Sequence, residues 1–169
     1  SCAIHDGGTL SCWGDASRGQ LGIGVVDMED HPLPIEVSIG EAAHLALGYF
    51  HVCVALSAGG VSCFGSNGWG ELANDDLGSE PEPSPVTAMG ISNTRQLAAG
   101  QQFTCAILED RGVACWGDNR NGQLGDGSTS FSTTPKTIAG FGDVAQIAAG
   151  RKHTCAVTLD GALYCWGRN

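Results

Sequence analysis

A pair of cysteines ten positions apart returns four times along this chain: Cys2 and Cys12, Cys53 and Cys63, Cys105 and Cys115, Cys155 and Cys165. The first members are spaced by 51, 52 and 50 residues. A period near fifty means that one supersecondary unit is repeated and that each unit buries its apolar faces against its neighbours. The other recurring residues fall into the same frame. An aromatic and a glycine follow the second cysteine: Trp13-Gly14, Phe64-Gly65, Trp116-Gly117 and Trp166-Gly167. Seven positions after that cysteine stands Gly19-Gln20-Leu21-Gly22, then Gly70-Glu71-Leu72-Ala73, then Gly122-Gln123-Leu124-Gly125. A proline closes a variable loop at Pro34, Pro85 and Pro135. A run of small residues ends in glycine five positions before the next cysteine: Leu45-Ala46-Leu47-Gly48, Leu97-Ala98-Ala99-Gly100 and Ile147-Ala148-Ala149-Gly150.

Each feature has a local meaning. Two short runs flank Asp160-Gly161, a hairpin signal. With the cysteines ten positions apart, the midpoint falls on a residue, such as Asp160, and this requires an odd loop. A three-residue loop puts Gly161, and equally Gly8 and Gly59, in the left-handed conformation that glycine adopts at little cost. Arg111 holds that place in the third unit, with Gly112 next, which predicts a slightly different turn there. The small-residue run suits a crowded inner strand, and a fourth, outer strand is expected after the proline. The chain is therefore expected to be all-β: a β-propeller of four-stranded blades, with hairpins at 2–12, 53–63, 105–115 and 155–165 in a single run over 1–169. The strands group as three, four, four and three. That makes about three and a half blades with open edges, which calls for further repeats or a second copy to close the ring.

The blocks His153-Thr154-Cys155-Ala156-Val157, Asp160-Gly161, Cys165-Trp166-Gly167 and Gly122-Gln123-Leu124-Gly125 resemble repeats of the regulator of chromosome condensation family, in a cysteine-containing form similar to its bacterial, exported branch. The resemblance covers nearly the whole chain. It implies a propeller, often of seven blades, and a protein-binding role. Members include a nuclear nucleotide-exchange factor for a small GTPase and secreted inhibitors of enzymes.

Residues facing each other across an odd hairpin sit at a non-hydrogen-bonded pair, where the backbones approach to about 4.5 Å. That is within disulfide reach. The expected bridges are Cys2–Cys12, Cys53–Cys63, Cys105–Cys115 and Cys155–Cys165, which place the chain in an oxidising compartment: periplasm, cell surface or exterior. Two rival readings are reduced structural cysteines and a zinc site drawing on His51 and His153, each two residues before a cysteine on the same strand face. The third unit has Phe103 there, which cannot ligate, and no Cys-x₂₋₄-Cys spacing occurs. The histidines are expected to be packed or hydrogen-bonded within blades. The sequence begins at Ser1 without a charged-then-apolar leader, which predicts either a removed signal peptide or a piece of a longer chain.

Net charge is −10, and residues 1–90 hold twelve acids against one base, Arg18. Such a surface repels phosphates, so no nucleic-acid partner is expected. No stretch approaches the roughly 18 apolar residues of a membrane span. No nucleophile elbow, zinc-protease or phosphate-loop motif is present, so neither catalytic residues nor a cofactor or metal is assigned. Asp27, Glu29 and Asp30 in one loop and Asp75, Asp76, Glu80 and Glu82 in the next should be neighbours, open to a basic partner, to calcium or to solvent alone. The positions free to vary are the long loops, 23–33, 74–84 and 126–134, and the short turns after the inner strand. Those turns carry Tyr49, Phe50, Gln101, Gln102, Arg151 and Lys152, the candidate contact residues at the mouth of the ring. Three functions are carried forward: a secreted or surface protein-binding scaffold, a display module of a larger surface protein, and a hydrolase or lyase with carboxylates at the ring mouth.

Overall fold

The computed structural model describes residues 1–78 and 80–168, and its regular structure is all strand. The first sheet holds β1 (Cys2–Ile4), β2 (Leu10–Asp15) and β3 (Asp30–Glu36). The second holds β4 (Ala42–Leu47), β5 (His51–Leu56), β6 (Gly60–Gly65) and β7 (Glu82–Ser92). The third holds β8 (Thr94–Ala99), β9 (Phe103–Leu108), β10 (Val113–Gly117) and β11 (Ser132–Thr137). The fourth holds β12 (Val144–Ala149), β13 (His153–Thr158) and β14 (Leu163–Gly167). Within every sheet the strands pair antiparallel in chain order. These are propeller blades in the expected three, four, four, three grouping.

The cysteine register sets each hairpin. Cys2 pairs with Cys12, Cys53 with Cys63, Cys105 with Cys115 and Cys155 with Cys165. All four pairs are disulfide-bonded with Cα atoms 4.1 Å apart, so no free cysteine remains among the described residues. The zinc reading fails because its thiols are consumed. The turns match as well: Gly8, Gly59 and Gly161 have φ of 83°, 99° and 88°. Arg111 adopts φ 66° in the same place and donates its N–H to the Leu108 carbonyl, just as Gly59 does to Leu56. The third turn therefore does not differ. A non-glycine residue is held in a left-handed conformation by the three-residue loop.

The outer strands begin before their prolines rather than after them. Pro32 and Pro34 lie inside β3, Pro83 and Pro85 inside β7, and Pro135 inside β11. An edge strand tolerates the missing N–H because its outer side has no ladder to feed.

The core lies between blades, in three slabs. Leu10, Leu21, Val52, Val54 and Phe64 fill the first gap. Val61, Leu72, Leu97 and Trp116 fill the second. Phe103, Ile107, Leu124, Val144 and Ile147 fill the third. The Gly-x-Leu-Gly block of each blade locks onto the aromatic of the next. A Cβ on Gly125 would lie 2.7 Å from the Trp166 indole nitrogen, and one on Gly22 would lie 2.9 Å from the Phe64 ring. The Trp116 indole donates to the Glu71 carbonyl at 2.8 Å, and Trp166 to that of Gln123 at 2.9 Å.

The histidines meet the expectation of packing or bonding within blades only in part: the His51 ring lies against Gly48 of its own blade, but its hydrogen bond leaves the blade. His51 is buried and hydrogen-bonds across the gap to the Thr104 hydroxyl at 2.8 Å. His153 is exposed, because no blade follows to cover it among the described residues. Burial holds His51 neutral, with its pKa down to about 4.

Candidate protein-binding face

In an antiparallel four-stranded blade, the turn after the first strand and the loop after the third leave from the same end of the sheet. One face of the ring therefore collects two sets of segments. The turns 48–50, 100–102 and 150–152 sit at its centre, and the loops 16–29, 66–81 and 118–131 sit further out. Ser79, within the second long loop, lies outside the described residues.

The structure brings the inner turns into one row. The Tyr49 N–H donates to the Gln101 carbonyl at 3.4 Å, and the Gln101 N–H to that of Arg151 at 3.0 Å. The Arg151 guanidinium donates to the Gln101 side-chain oxygen at 2.9 Å. These three residues and the small residues beneath them line a shallow hollow on the ring axis. Tyr49 is 66% exposed. Its ring meets Phe50 edge-on at 4.5 Å, and Arg18 of the preceding blade lies over Phe50 at 5.8 Å. Gln102 accepts a hydrogen bond from Arg120 at 3.4 Å. Lys152 is half-buried, and its carbonyl caps Arg168. The rows of small residues permit this closeness: a Cβ on Gly48 would run into the His51 ring and lie 2.9 Å from the Gly100 carbonyl.

Sequence reasoning missed a second set of residues on this face. Arg120 stacks on Trp69 at 3.8 Å and pairs with Asp118 through two bonds, of 2.8 and 3.1 Å. Phe131 approaches Trp69 at 6.1 Å. Burial raises the Asp118 carboxyl, but the bonds from Arg120 and Gln123 outweigh it and hold Asp118 below its ordinary range. Only Phe131 lies in one of the long loops expected to vary, 126–134; Trp69, Asp118 and Arg120 precede the Gly-x-Leu block of their units, where the sequence reading looked only at the block itself.

The loops are held by a buried asparagine four positions after the second cysteine, also unforeseen. Asn67 donates to Asn74 and to the Asp76 carbonyl, and accepts from the Leu72 N–H. Asn119 repeats this with Asp126, the Ser128 carbonyl and Leu124. The signal was its place in the repeat frame, although the first unit has Ala16 there.

The acidic loops do adjoin: the Gly24 N–H donates to the Pro83 carbonyl. Their side chains, however, turn to separate local partners. Asp27 binds His31 and the Glu29 N–H, and Asp75 accepts from Thr133 of the next blade. No group of three acids, histidines or cysteines converges among the described residues.

Two models of the regulator of chromosome condensation (RCC1) repeat match, one over residues 112–157 and one over 95–123. The chain is 36% identical to the ultraviolet-B receptor UVR8 of Arabidopsis thaliana over 138 residues, covering 78% of this chain and 30% of that protein. It is 32% identical to the human probable E3 ubiquitin-protein ligase HERC3 over 133 residues, covering 76% of this chain and 12% of that one. The chain thus spans a third or less of these curated relatives. Among solved structures, human WBSCR16 superposes with a TM-score of 0.86 at 22% identity, covering 99% of this chain and 45% of that one. Yeast RCC1 (Prp20), solved bound to Kap60, gives 0.86 at 19% identity, covering 98% of this chain and 41% of that one. At these identities the structural likeness establishes the fold.

Proposed function

Because the chain is built of repeats of the RCC1 family, we propose that it is a non-catalytic, protein-binding propeller segment that works outside the reducing interior of the cell. The row formed by Tyr49, Gln101 and Arg151, with Phe50, Gln102 and Lys152 beside it, is the contact surface in this reading. The observation that carries it is the hydrogen-bonded alignment of three successive inner turns into one exposed strip of aromatic, amide and guanidinium groups. Such groups dominate interface energies, and a pre-ordered strip loses little entropy on binding. Four disulfides support an oxidising location, periplasmic, surface or extracellular. A protein partner agrees with yeast RCC1 (Prp20), which was solved bound to Kap60 and has binding properties described towards Gsp1p and histones. The residues lining the axial hollow carry no carboxylate, so the hydrolase reading has no acid couple there. Among the described residues no helix is long and apolar enough to cross a membrane.

The ring needs completion, by further repeats or by a second copy. The display-module reading shares that need and differs in requiring no specific partner. Site-specific photo-crosslinking separates the two. A crosslinker at Tyr49 is expected to trap one defined protein, with loss of the adduct on Arg151→Ala, while one at Asp110, in a turn at the opposite end of the blade, traps none. Equal adducts from both positions, or none from either, would overturn the binding reading.

A further inference from the structure

The Gly-x-Leu-Gly loops carry a polar pair that changes identity in one blade. Asp15 with Gln20 in the first unit and Asp118 with Gln123 in the third combine an acid with an amide donor. The second unit has Ser66 and Glu71 at these positions. The amide of Gln20 or Gln123 accepts a backbone N–H two residues upstream, from Arg18 or Asn121. Glu71 keeps that bond: its Oε2 accepts the Trp69 N–H at 2.7 Å. Where glutamine carries an NH₂ group, Glu71 has Oε1, which is buried without a hydrogen-bond partner. Glu71 is fully buried, and the acid facing it across the gap to the third blade is Asp118, itself 2% exposed.

We propose that the junction between the second and third blades is a proton-sensitive clasp, shut while Glu71 carries a proton and loosened when Glu71 ionises opposite Asp118. A protonated Glu71 is uncharged, as the glutamine of the other units is. An ionised one leaves a charge without a cation in an apolar gap, facing a second carboxylate. The groups packed around it cannot neutralise it. Arg120 is engaged with Asp118 and stacked on Trp69. Trp116 donates to the Glu71 main-chain carbonyl, not to the carboxyl. The Cys53 sulfur, 3.8 Å from the same carbonyl, is held in a disulfide. His51, which joins this junction through Thr104, is neutral because it is buried. Burial, and secondarily the Asp118 charge, raise the Glu71 carboxyl to about 7 against the opposing Trp69 N–H bond. The clasp thus opens as pH rises through neutrality.

Opening has a defined path. Hydrating Glu71 requires the 66–73 loop to lift. Trp69, bonded to Glu71 through its N–H, then leaves the Arg120 guanidinium on the partner-facing side.

Nuclear magnetic resonance of the whole chain tests it, following the Glu71 carboxyl carbon together with the Trp69 amide and the Trp116 indole N–H from pH 5 to 8.5. All three are expected to move with one midpoint near 7. In Glu71→Gln, which installs the residue the other units use, the two tryptophan signals stay flat. Amide exchange in the 66–73 loop is expected to exceed the intrinsic rise with pH several-fold in the parent and not in the variant. A Glu71 midpoint near that of an ordinary carboxylate would overturn the proposal. So would tryptophan signals that ignore the Glu71 midpoint, or that move equally in Glu71→Gln.

Discussion

At the scale of single residues, two buried groups give opposing pH dependences. His51 is neutral when folded, with a pKa of about 4 against 6.5 for the free side chain. The unfolded chain binds its proton first, so His51 costs stability as pH falls from 6.5 towards 4. Glu71 is raised to about 7 from 4.5. The folded chain keeps that proton longer, so stability falls as pH rises from 4.5 to 7. Each shift corresponds to about 3 kcal/mol. Between pH 4.5 and 6.5 the two slopes nearly cancel, and the parent is expected to show a flat denaturation midpoint there. Glu71→Gln should expose the histidine limb alone, with stability rising from pH 4 to 6.5 and then level. His51→Phe, which copies Phe103, should expose the glutamate limb alone, falling from pH 4.5 to 7. Urea unfolding at several pH values checks both. A parent profile unaltered by either substitution would refute the assignment.

The repeat frame made His51 visible as a candidate, but its partner could not be read from its own unit, because Thr104 lies 53 residues away in the next blade. The Glu71 exception stands in the sequence between two glutamines, Gln20 and Gln123. Only the burial of both carboxylates turned that difference into a titration.

At the scale of elements, the long loops keep their shape through Asn67 and Asn119 rather than through loop sequence. Removing the Asn119 amide leaves the buried Leu124 N–H without an acceptor and frees the Asp126 and Ser128 groups. Asn119→Ala is therefore expected to cost about 2–3 kcal/mol and to raise amide exchange across 120–131 ahead of global unfolding. Gly125→Ala tests the lock between blades. Its Cβ would press on the Trp166 ring at a φ of 72°, and a melting loss of about 1–3 kcal/mol is expected. Hairpins and inner strands were legible because their periods are short and their cysteines sit in register. The start of the outer strands was not, since proline reads as a loop unless the strand is known to lie at an edge.

At the scale of the whole molecule, the end blades are the weak points. β14 is largely exposed, whereas its counterpart β10 is wholly buried. Leu163 is 67% and Tyr164 49% exposed. β1 is only half-buried where β5 and β9 are covered. Exposed apolar strands with unpaired edges seek partners. The chain on its own is expected to scatter light with a mass above its 17.3 kDa, and to weigh less than the reduced chain by the hydrogens of four disulfides. Adding the repeats of a complementary segment should abolish the self-association. A stable, protease-resistant monomer would show that the half ring needs no completion.

The sequence by itself determined whatever depends on spacing along one chain: four hairpins, their cysteine pairs, the left-handed turn position, and the three, four, four, three grouping. These are local contacts between residues ten or so apart, repeated until the pattern is unmistakable. Tertiary structure alone decided whatever crosses between blades. It aligned Tyr49 with Gln101 and Arg151, laid Arg120 on Trp69, tied His51 to Thr104, and shut Glu71 away opposite Asp118. Each of these pairs joins residues about fifty apart, at a distance set by how one blade twists and stacks on the next. No local pattern in the chain encodes that distance.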